Sequence, residues 1–530
     1  MKTLKTLMAI AVSTVLLASC GSNANKMANH IPKNALAVIA VNAGSMLGKL
    51  EKDSMSVEQM LAASKQMHGN DINEALKQWN DLKDAGIDWQ QPFFIVALQD
   101  TVMSSSGAGF AVLAALSDEG KFEAAVKAKS GKEVVSEHGY KSVPYSDGSV
   151  AWNKNMAIIT GGSAKSASAT ALFNIKKENS IVTAKHFDEA VAKNADVMIF
   201  NTGAAINNPQ AAMVLAMVPK AKEFVEGIEA ISLINFEDGK ATLESITYVG
   251  DKLGTLLDKY AGPEADLSLV ERFPAQQLNT VAAFSFKPEL IPAIIEELGI
   301  SALVSMPLSQ EGLTIDDFGK VFKGDFAVVV GDLKVTEKEM GKDGSKAAFN
   351  DPSANLVVAA RIGDRAIFDK LLGKAVEKGI LKREGDMIVA AVEDADMKGL
   401  TMGIAGDLLV ISNNKATWDA YAAGTKTKLN DQVSKTFAGQ SAAVFVDINS
   451  ILKAIPDSAM HSNAQGQAMF MEAKNIFQSA DMYMANYKNG KLTGGGQLLV
   501  TPGKNSLSRL ANFAMTAASA TETKDTAMSH

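Results

Sequence analysis

The chain has 530 residues, 47% of them hydrophobic, with one cysteine and a formal net charge of −7 at pH 7. Length and apolar content suffice for a large core and argue for more than one domain. Interspersed charges, with no basic run of five or more, disfavour a nucleic-acid or anionic-lipid surface.

Lys2 and Lys5 precede a stretch, Leu7–Ala18, that is apolar apart from Ser13 and Thr14. Residues 1–19 therefore read as a secretory signal peptide. A dozen apolar residues give roughly 18 Å of helix, too short for a hydrocarbon core of about 30 Å. Leu17-Ala18-Ser19-Cys20 has the pattern of the bacterial lipobox, in which the cysteine sulfur is acylated and the chain is cut before it. Cys20 is thus the expected lipidation site, and a buried or free thiol is the competing reading. The expected partner is the membrane, held through the lipidated N-terminus at ~0.8 kcal/mol per buried CH₂. With Cys20 used this way no disulfide remains possible, although the compartment would permit one. Loss of Lys2 and Lys5 moves the net charge from −7 to −9. Residues 20–30 are small and polar, a flexible tether.

Order is expected from Ile31-Pro32, followed by a strand over Leu36–Val41. Ser56-Val57-Glu58-Gln59 has capping-box spacing, and Leu76, Trp79 and Leu82 mark a second helix ending near Gly86. Strands Phe93–Leu98 and Phe110–Leu116 follow, then a helix containing Phe122, Ala125 and Val126. Asp147-Gly148 and Asn153-Lys154-Asn155 mark turns, the second leading into a strand at Met156–Ile159. Helices near Ala167–Phe173 and Phe187–Val191 precede a strand at Val197–Phe200. A hairpin turning at Asp238-Gly239 and a helix with Leu253, Leu256, Leu257 and Tyr260 on one face close the half.

The same order then recurs. Phe273-Pro274 answers Ile31-Pro32, Phe326–Val330 answers Phe94–Leu98, and Phe368 answers Phe122. Leu408–Ser412 answers Met156–Thr160, Val444–Val446 answers Met198–Phe200, and Asn489-Gly490 answers Asp238-Gly239. Leu507, Leu510, Ala511 and Ala514 repeat the closing helical face. We read an internal duplication, residues 31–262 and 263–518, with a flexible tail at 519–530. Hairpins without regular βαβ alternation predict an α+β fold: two similar lobes, each a largely antiparallel sheet with packed helices. The lipobox, the short tether, the opening Ile31-Pro32-Lys33-Asn34-Ala35-Leu36-Ala37-Val38-Ile39-Ala40-Val41-Asn42 and two such halves resemble an uncharacterised lipoprotein family of the Bacteroidetes, known only as a domain of unknown function. The resemblance covers the whole chain and implies no activity, ligand or catalytic residue.

No catalytic, cofactor-binding or metal-ligating residues stand out. The histidines are isolated and no second cysteine exists for a zinc site. Met469/Met471 and Met482/Met484 have copper-like spacing, but Met482 and Met484 alternate on an expected strand, which is what a core face requires, and methionine as gap-filler is the favoured reading. Ser412/Lys415 and Ser450/Lys453 match S-x-x-K without the companion motifs of penicillin-binding enzymes, and Ser412 reads more simply as part of a helix N-cap. Gly107-Ala108-Gly109 lacks a third glycine, and Asp316/Asp317 and Asp394/Asp396 read as solvated turns. Asp-Ser/Thr followed by a small or apolar residue, the O-glycosylation pattern of the Bacteroidetes, occurs at Ser54, Thr101, Ser458 and Thr526.

The expected function is that of a cell-envelope lipoprotein with a non-enzymatic binding or scaffold role and an envelope protein as partner. The alternative is an envelope hydrolase whose site is assembled between the lobes. Residues 21–26 contain no acidic residue, whereas surface-exposed lipoproteins of that group carry an acidic cluster there. The expected location is therefore the outer membrane, facing the periplasm.

Overall fold

The structure, a computed structural model, describes residues 26–60, 72–98, 109–145, 148–162, 168–204, 213, 215–218, 220–340, 347–385, 387–390, 399–424, 426–457 and 464–519. Cys20, Thr101, Ser458, Thr526 and the pair Asp394/Asp396 lie outside these residues. The chain divides into two compact units, the first made of residues 1–214, 226–247 and 502–530, the second of 215–225 and 248–501. Both are mixed α/β, and their strands belong to one large antiparallel sheet.

The first unit contains β1 (Ala37–Val41), β2 (Phe93–Leu98), β3 (Gly109–Ala115), β4 (Val135–Glu137), β5 (Tyr140–Tyr145), β6 (Gly148–Trp152), β7 (Met156–Gly161), β8 (Val197–Asn201), β9 (Glu229–Glu237) and β10 (Lys240–Tyr248). Antiparallel pairing runs β4-β5-β6-β7-β3-β2-β1-β8-β9, with β10 beside β9. The second unit contains β11 (Leu278–Ser285), β12 (Phe322–Met340), β13 (Ala347–Ile362), β14 (Leu381–Glu384), β15 (Met387–Ala390), β16 (Thr401–Ala405), β17 (Leu408–Ser412), β18 (Gln440–Val446), β19 (Phe477–Ala485) and β20 (Lys491–Val500). Here the antiparallel order is β14-β15-β16-β17-β13-β12-β11-β18-β19-β20. The two orders match strand for strand.

The local signals explain most of these elements. Asn153 Oδ1 accepts hydrogen bonds from Asn155 N and Met156 N, making the tight turn from β6 into β7. Ser56 Oγ accepts from Gln59 N at 3.1 Å while Gln59 Oε1 accepts from Ser56 N at 2.9 Å, a complete capping box. Ser412 departs from expectation. It is fully buried and donates to Leu356 O at 2.8 Å, while Asn414 caps the helix Lys415–Ala422 by accepting from Thr417 N. Nor do Asp316 and Asp317 form a turn. They occupy the first turn of the helix Ile315–Lys320, where Asp317 completes a capping box with Thr314.

One face of the second unit's sheet is sealed. Val281, Ala283, Ala327, Val329, Val357, Ala359, Val410, Ala443 and Phe445 meet Leu269, Val270, Trp418, Tyr421, Val433 and Phe437 from three short helices. Tyr421 is fully buried and donates its hydroxyl to Leu269 O at 2.7 Å, so this core contains a polar group that has its partner.

The other face is apolar as well: at its β16–β17 end Ile404, Met402 and Leu409 join a second core with Phe368 and Leu372, while toward β19 apolar side chains are left exposed. One cross-strand row reads Ile411, Val358, Val328, Ala282, Val444, Met482, Gly496, and the next reads Leu409, Ala360, Phe326, Phe284, Ala442, Met484, Gly494. Met482 and Met484 do alternate on β19, but on this open face, 62% and 47% exposed, and not on the core side expected from their spacing. In the first unit, Ile159, Val112, Ile95, Ile39 and Ile199 form a row at the same place in the strand order.

The closing helix of each half packs in the unit of the other half. Helix Ser506–Ser519 lies against helix Ala43–Lys52 and β9 in the first unit, and helix Asp251–Tyr260 against helix Leu290–Glu297 in the second. Asn505 N donates to Asp53 Oδ2 at 2.8 Å, and Asn505 Nδ2 donates to Phe236 O at 3.0 Å. In the second unit Val249 N donates to Gly490 O at 3.2 Å.

Candidate functional site

The candidate site is a polar cleft of about 420 Å³ in the second unit, at the ends of β11, β18 and β19. Three local devices build it. Asp447 directly follows β18 and caps the helix Ile448–Ala454, its Oδ1 accepting from Ser450 N at 2.9 Å. Asn430 caps the helix Asp431–Phe437 in the same way, through Val433 N, which sets Gln432 at the rim. The start of β19 supplies Gln478 and Ser479, and the residue before β11 supplies Gln277.

Carboxamides dominate the lining, and they hold one another. Gln277 Nε2 donates to Asp447 Oδ2 at 2.9 Å, Gln432 Nε2 to Ser479 Oγ at 2.6 Å, and Asn449 Nδ2 to Gln478 Oε1 at 3.0 Å. Gln478 Nε2 in turn donates to Thr501 Oγ1 at 3.2 Å. Each amide is therefore oriented, while among the described residues Gln432 Oε1 and Lys453 Nζ meet no partner. A carboxamide offers both a donor and an acceptor, so such a lining complements neutral polar ligands.

Ser450 and Lys453 both line the cleft, so the one S-x-x-K motif of chemical interest falls there. The geometry is not that of an activated nucleophile. Ser450 Oγ donates to Asp447 O at 3.0 Å and accepts from Asn279 Nδ2 at 2.8 Å, which commits its proton to a backbone carbonyl. The cleft residues are individually inconspicuous in sequence, and only the two Asn/Asp caps carry a local signal.

Two ionic clusters lie elsewhere. Arg361 Nη2 meets Asp266 Oδ2 at 2.5 Å, its Nη1 meets Asp407 Oδ2 at 2.8 Å, and its Nε lies 3.7 Å from Asp325. Burial alone would raise the Asp266 carboxyl, but hydrogen bonds from Ser268 and Arg361 outweigh it and hold the group below the usual range. In the first unit the buried Asp196 accepts from Ser45 Oγ and Phe236 N, both at 2.7 Å, and pairs with Lys49. These clusters tie elements together and open into no cleft described above.

Of the proposed modification sites, only Ser54 is described. It is exposed, in a turn after the helix Ala43–Lys52, with a positive φ of 60°. Among the described residues, no group of three or more His, Cys, Asp or Glu converges as a metal site, and no helix is long and apolar enough to cross a membrane.

No curated protein matches the chain. The solved structure of TP0453 in its crystal form III is similar at 10% identity over 44% of this chain and 85% of that one, with a TM-score of 0.25. A family model described as a domain of unknown function, DUF4836, matches residues 27–507. The pairing orders, the sealed core and the cleft all fall within that span, and the chain belongs to the DUF4836 family.

Proposed function

We propose that this protein is a lipid-anchored, non-enzymatic binding protein of the bacterial cell envelope, acylated at Cys20 and built from an internal duplication. The amide-lined cleft is the observation that carries the binding role. Its oriented carboxamides match the alternating N–H and C=O groups of an extended peptide. The lining has no exposed aromatic platform, since its one aromatic residue, Phe445, is 2% exposed. We therefore assign the cleft a segment of an envelope protein.

The duplication is supported by the two matching strand orders and by the shared place of the open rows, Ile159 to Ile199 and Ile411 to Val444. The lipobox at Leu17–Cys20 supports a lipoprotein of the Bacteroidetes type, and the lack of acidic residues at 21–26 supports the periplasmic side of the outer membrane. Protease added to intact cells tests that location: digestion of the folded units while a periplasmic marker survives would refute it. Ser54, Thr101, Ser458 and Thr526 are proposed O-glycosylation sites, and an intact mass of only peptide plus lipid would dismiss them.

The binding role is tested with a photo-crosslinking residue at Lys453 in whole cells. One discrete adduct, lost when Gln432 and Gln478 are changed to Glu, is the expected result. Hydrolytic turnover by the purified protein, abolished by Ser450→Ala, would overturn it in favour of the envelope hydrolase.

A further inference from the structure

We propose that the helix Ser301–Gln310 of the second unit lays its outward face on the lipid bilayer, a membrane contact separate from the acyl group at Cys20. The choice of occupant rests on the lipoprotein reading given above. From Leu298 to Gln310 the chain carries no charged residue, and its polar side chains are three serines and the terminal glutamine. The helix itself has ten residues, about 15 Å at 1.5 Å per residue, so it can lie on a bilayer but not cross one.

This helix is turned inside out. Leu303, Met306 and Pro307 share one face by their i, i+3, i+4 spacing, and that face is the open one, with Leu303 74% and Met306 67% exposed. Ser301 and Ser305 lie with Val304 and Leu308 on the half-buried side. An ordinary surface helix does the reverse, and a helix this apolar is normally covered all round. Yet neither it nor the adjoining helix Leu290–Glu297 has a fully buried residue. On the helix Ile315–Lys320, which packs against both, Phe318 is 51% exposed.

Three observations favour a bilayer as the cover. Ser305 Oγ donates to Ser301 O, and Ser309 Oγ donates to Met306 O at 2.9 Å, so these hydroxyls bond back to their own helix and need no water. A protein partner would be fixed by hydrogen bonds spread over the contact, and Leu303, Met306 and Pro307 offer it no side-chain group for one. The charged groups stand at one end of the helix. Glu311 pairs with Lys378 at 2.6 Å and with Lys374 at 3.9 Å, while Lys370 donates to Gly312 O. Three lysines to one glutamate beside an apolar patch complement phosphate headgroups above acyl chains. The bilayer is also near. The six peptide steps from Cys20 to Lys26, where the described fold begins, span at most about 22 Å.

The test uses the chain from residue 20 onward with Cys20→Ser, which removes both the acyl group and the one native cysteine. Leu303→Cys then carries an environment-sensitive dye, and Lys129→Cys, on an exposed helix position of the first unit, is the reference. The probe is vesicles of phosphatidylethanolamine and phosphatidylglycerol, with and without brominated acyl chains. A blue shift and quenching by the brominated chains are expected at position 303 and not at 129. Adding Met306→Glu, at an exposed site, should leave the circular dichroism unchanged and weaken vesicle binding by roughly tenfold or more. A dye at 303 that stays unquenched at saturating lipid, or is quenched no more than that at 129, overturns the proposal. A blue shift that grows with protein concentration in the absence of vesicles also overturns it, by giving the face to a second copy. Neither failure bears on acylation, which palmitate incorporation at Cys20 reads separately.

Discussion

Replacing Arg361 with Gln tests whether the carboxylates around it act as a clamp on the second unit. Its guanidinium joins Asp266, which precedes the helix Ser268–Glu271, to Asp407 at the β16–β17 turn and Asp325 on β12. Each charge-assisted hydrogen bond is worth about 1.5–3 kcal/mol when shielded. Here the Arg361 side chain is 21% exposed and Asp266 28%, but Asp407 is 48% exposed, so the second bond is largely screened. The expected loss is about 2–3 kcal/mol at pH 7, and three facing carboxylates are left with only Lys323 near Asp407. The sign with pH is definite. For both Asp266 and Asp407, burial pushes the carboxyl up, but hydrogen bonding, including that from Arg361, outweighs it and holds the folded pKa low. Such groups contribute stability above their unfolded pKa and lose it as pH falls through the folded pKa. The gap between parent and variant should therefore be widest at pH 7 and narrow steadily below pH 4. Urea unfolding at pH 7 and pH 3.5, followed by circular dichroism and tryptophan fluorescence, measures it. A loss under about 0.5 kcal/mol at neutral pH, or one that does not shrink in acid, refutes the clamp.

Asp481 should behave in the opposite way. Burial raises its pKa despite hydrogen bonds from Gln497 and Thr436, so its charge costs stability progressively as pH rises above the unfolded value. Asp481→Asn is expected to raise the melting temperature at pH 7 and to have little effect near pH 3, and thermal melts across that range check it. Tyr421→Phe strands the Leu269 carbonyl in the core and should cost about 1–3 kcal/mol in urea titrations. Ending the chain at Asn505 removes the helix that covers helix Ala43–Lys52. It should destabilise the first unit by roughly 1.5–3 kcal/mol per large apolar side chain uncovered, with hydrogen exchange rising there before it rises in the second unit. Cys20→Ser should abolish incorporation of radiolabelled palmitate, and label retained in that variant would end the lipoprotein reading.

Much of the architecture was legible locally. Turns such as Asn153–Asn155 and caps such as Ser56 with Gln59 are made by neighbouring residues, so their chemistry is complete within a few positions of sequence. The recurring segments occupy the same places in the two strand orders, as expected where similar apolar patterns select similar pairings.

Other features are decided only when distant segments meet. The apolar residues Leu507, Leu510 and Ala511 announce a helix that needs neighbours, but amphipathicity does not specify which, and here the helix packs on helix Ala43–Lys52 and β9. On β19 the apolar set Ala480, Met482 and Met484 alternates with Ser479, Asp481 and Tyr483, so periodicity points Met482 at the core, yet the structure buries Ser479 and Asp481 and leaves Met482 exposed. The cleft joins Gln277, Gln432, Asp447 and Gln478, which are separated by up to two hundred residues and unremarkable one by one. Their meaning as a site comes from the return of β11, β18 and β19 to one sheet end, a consequence of long-range strand pairing that no short stretch of the chain encodes.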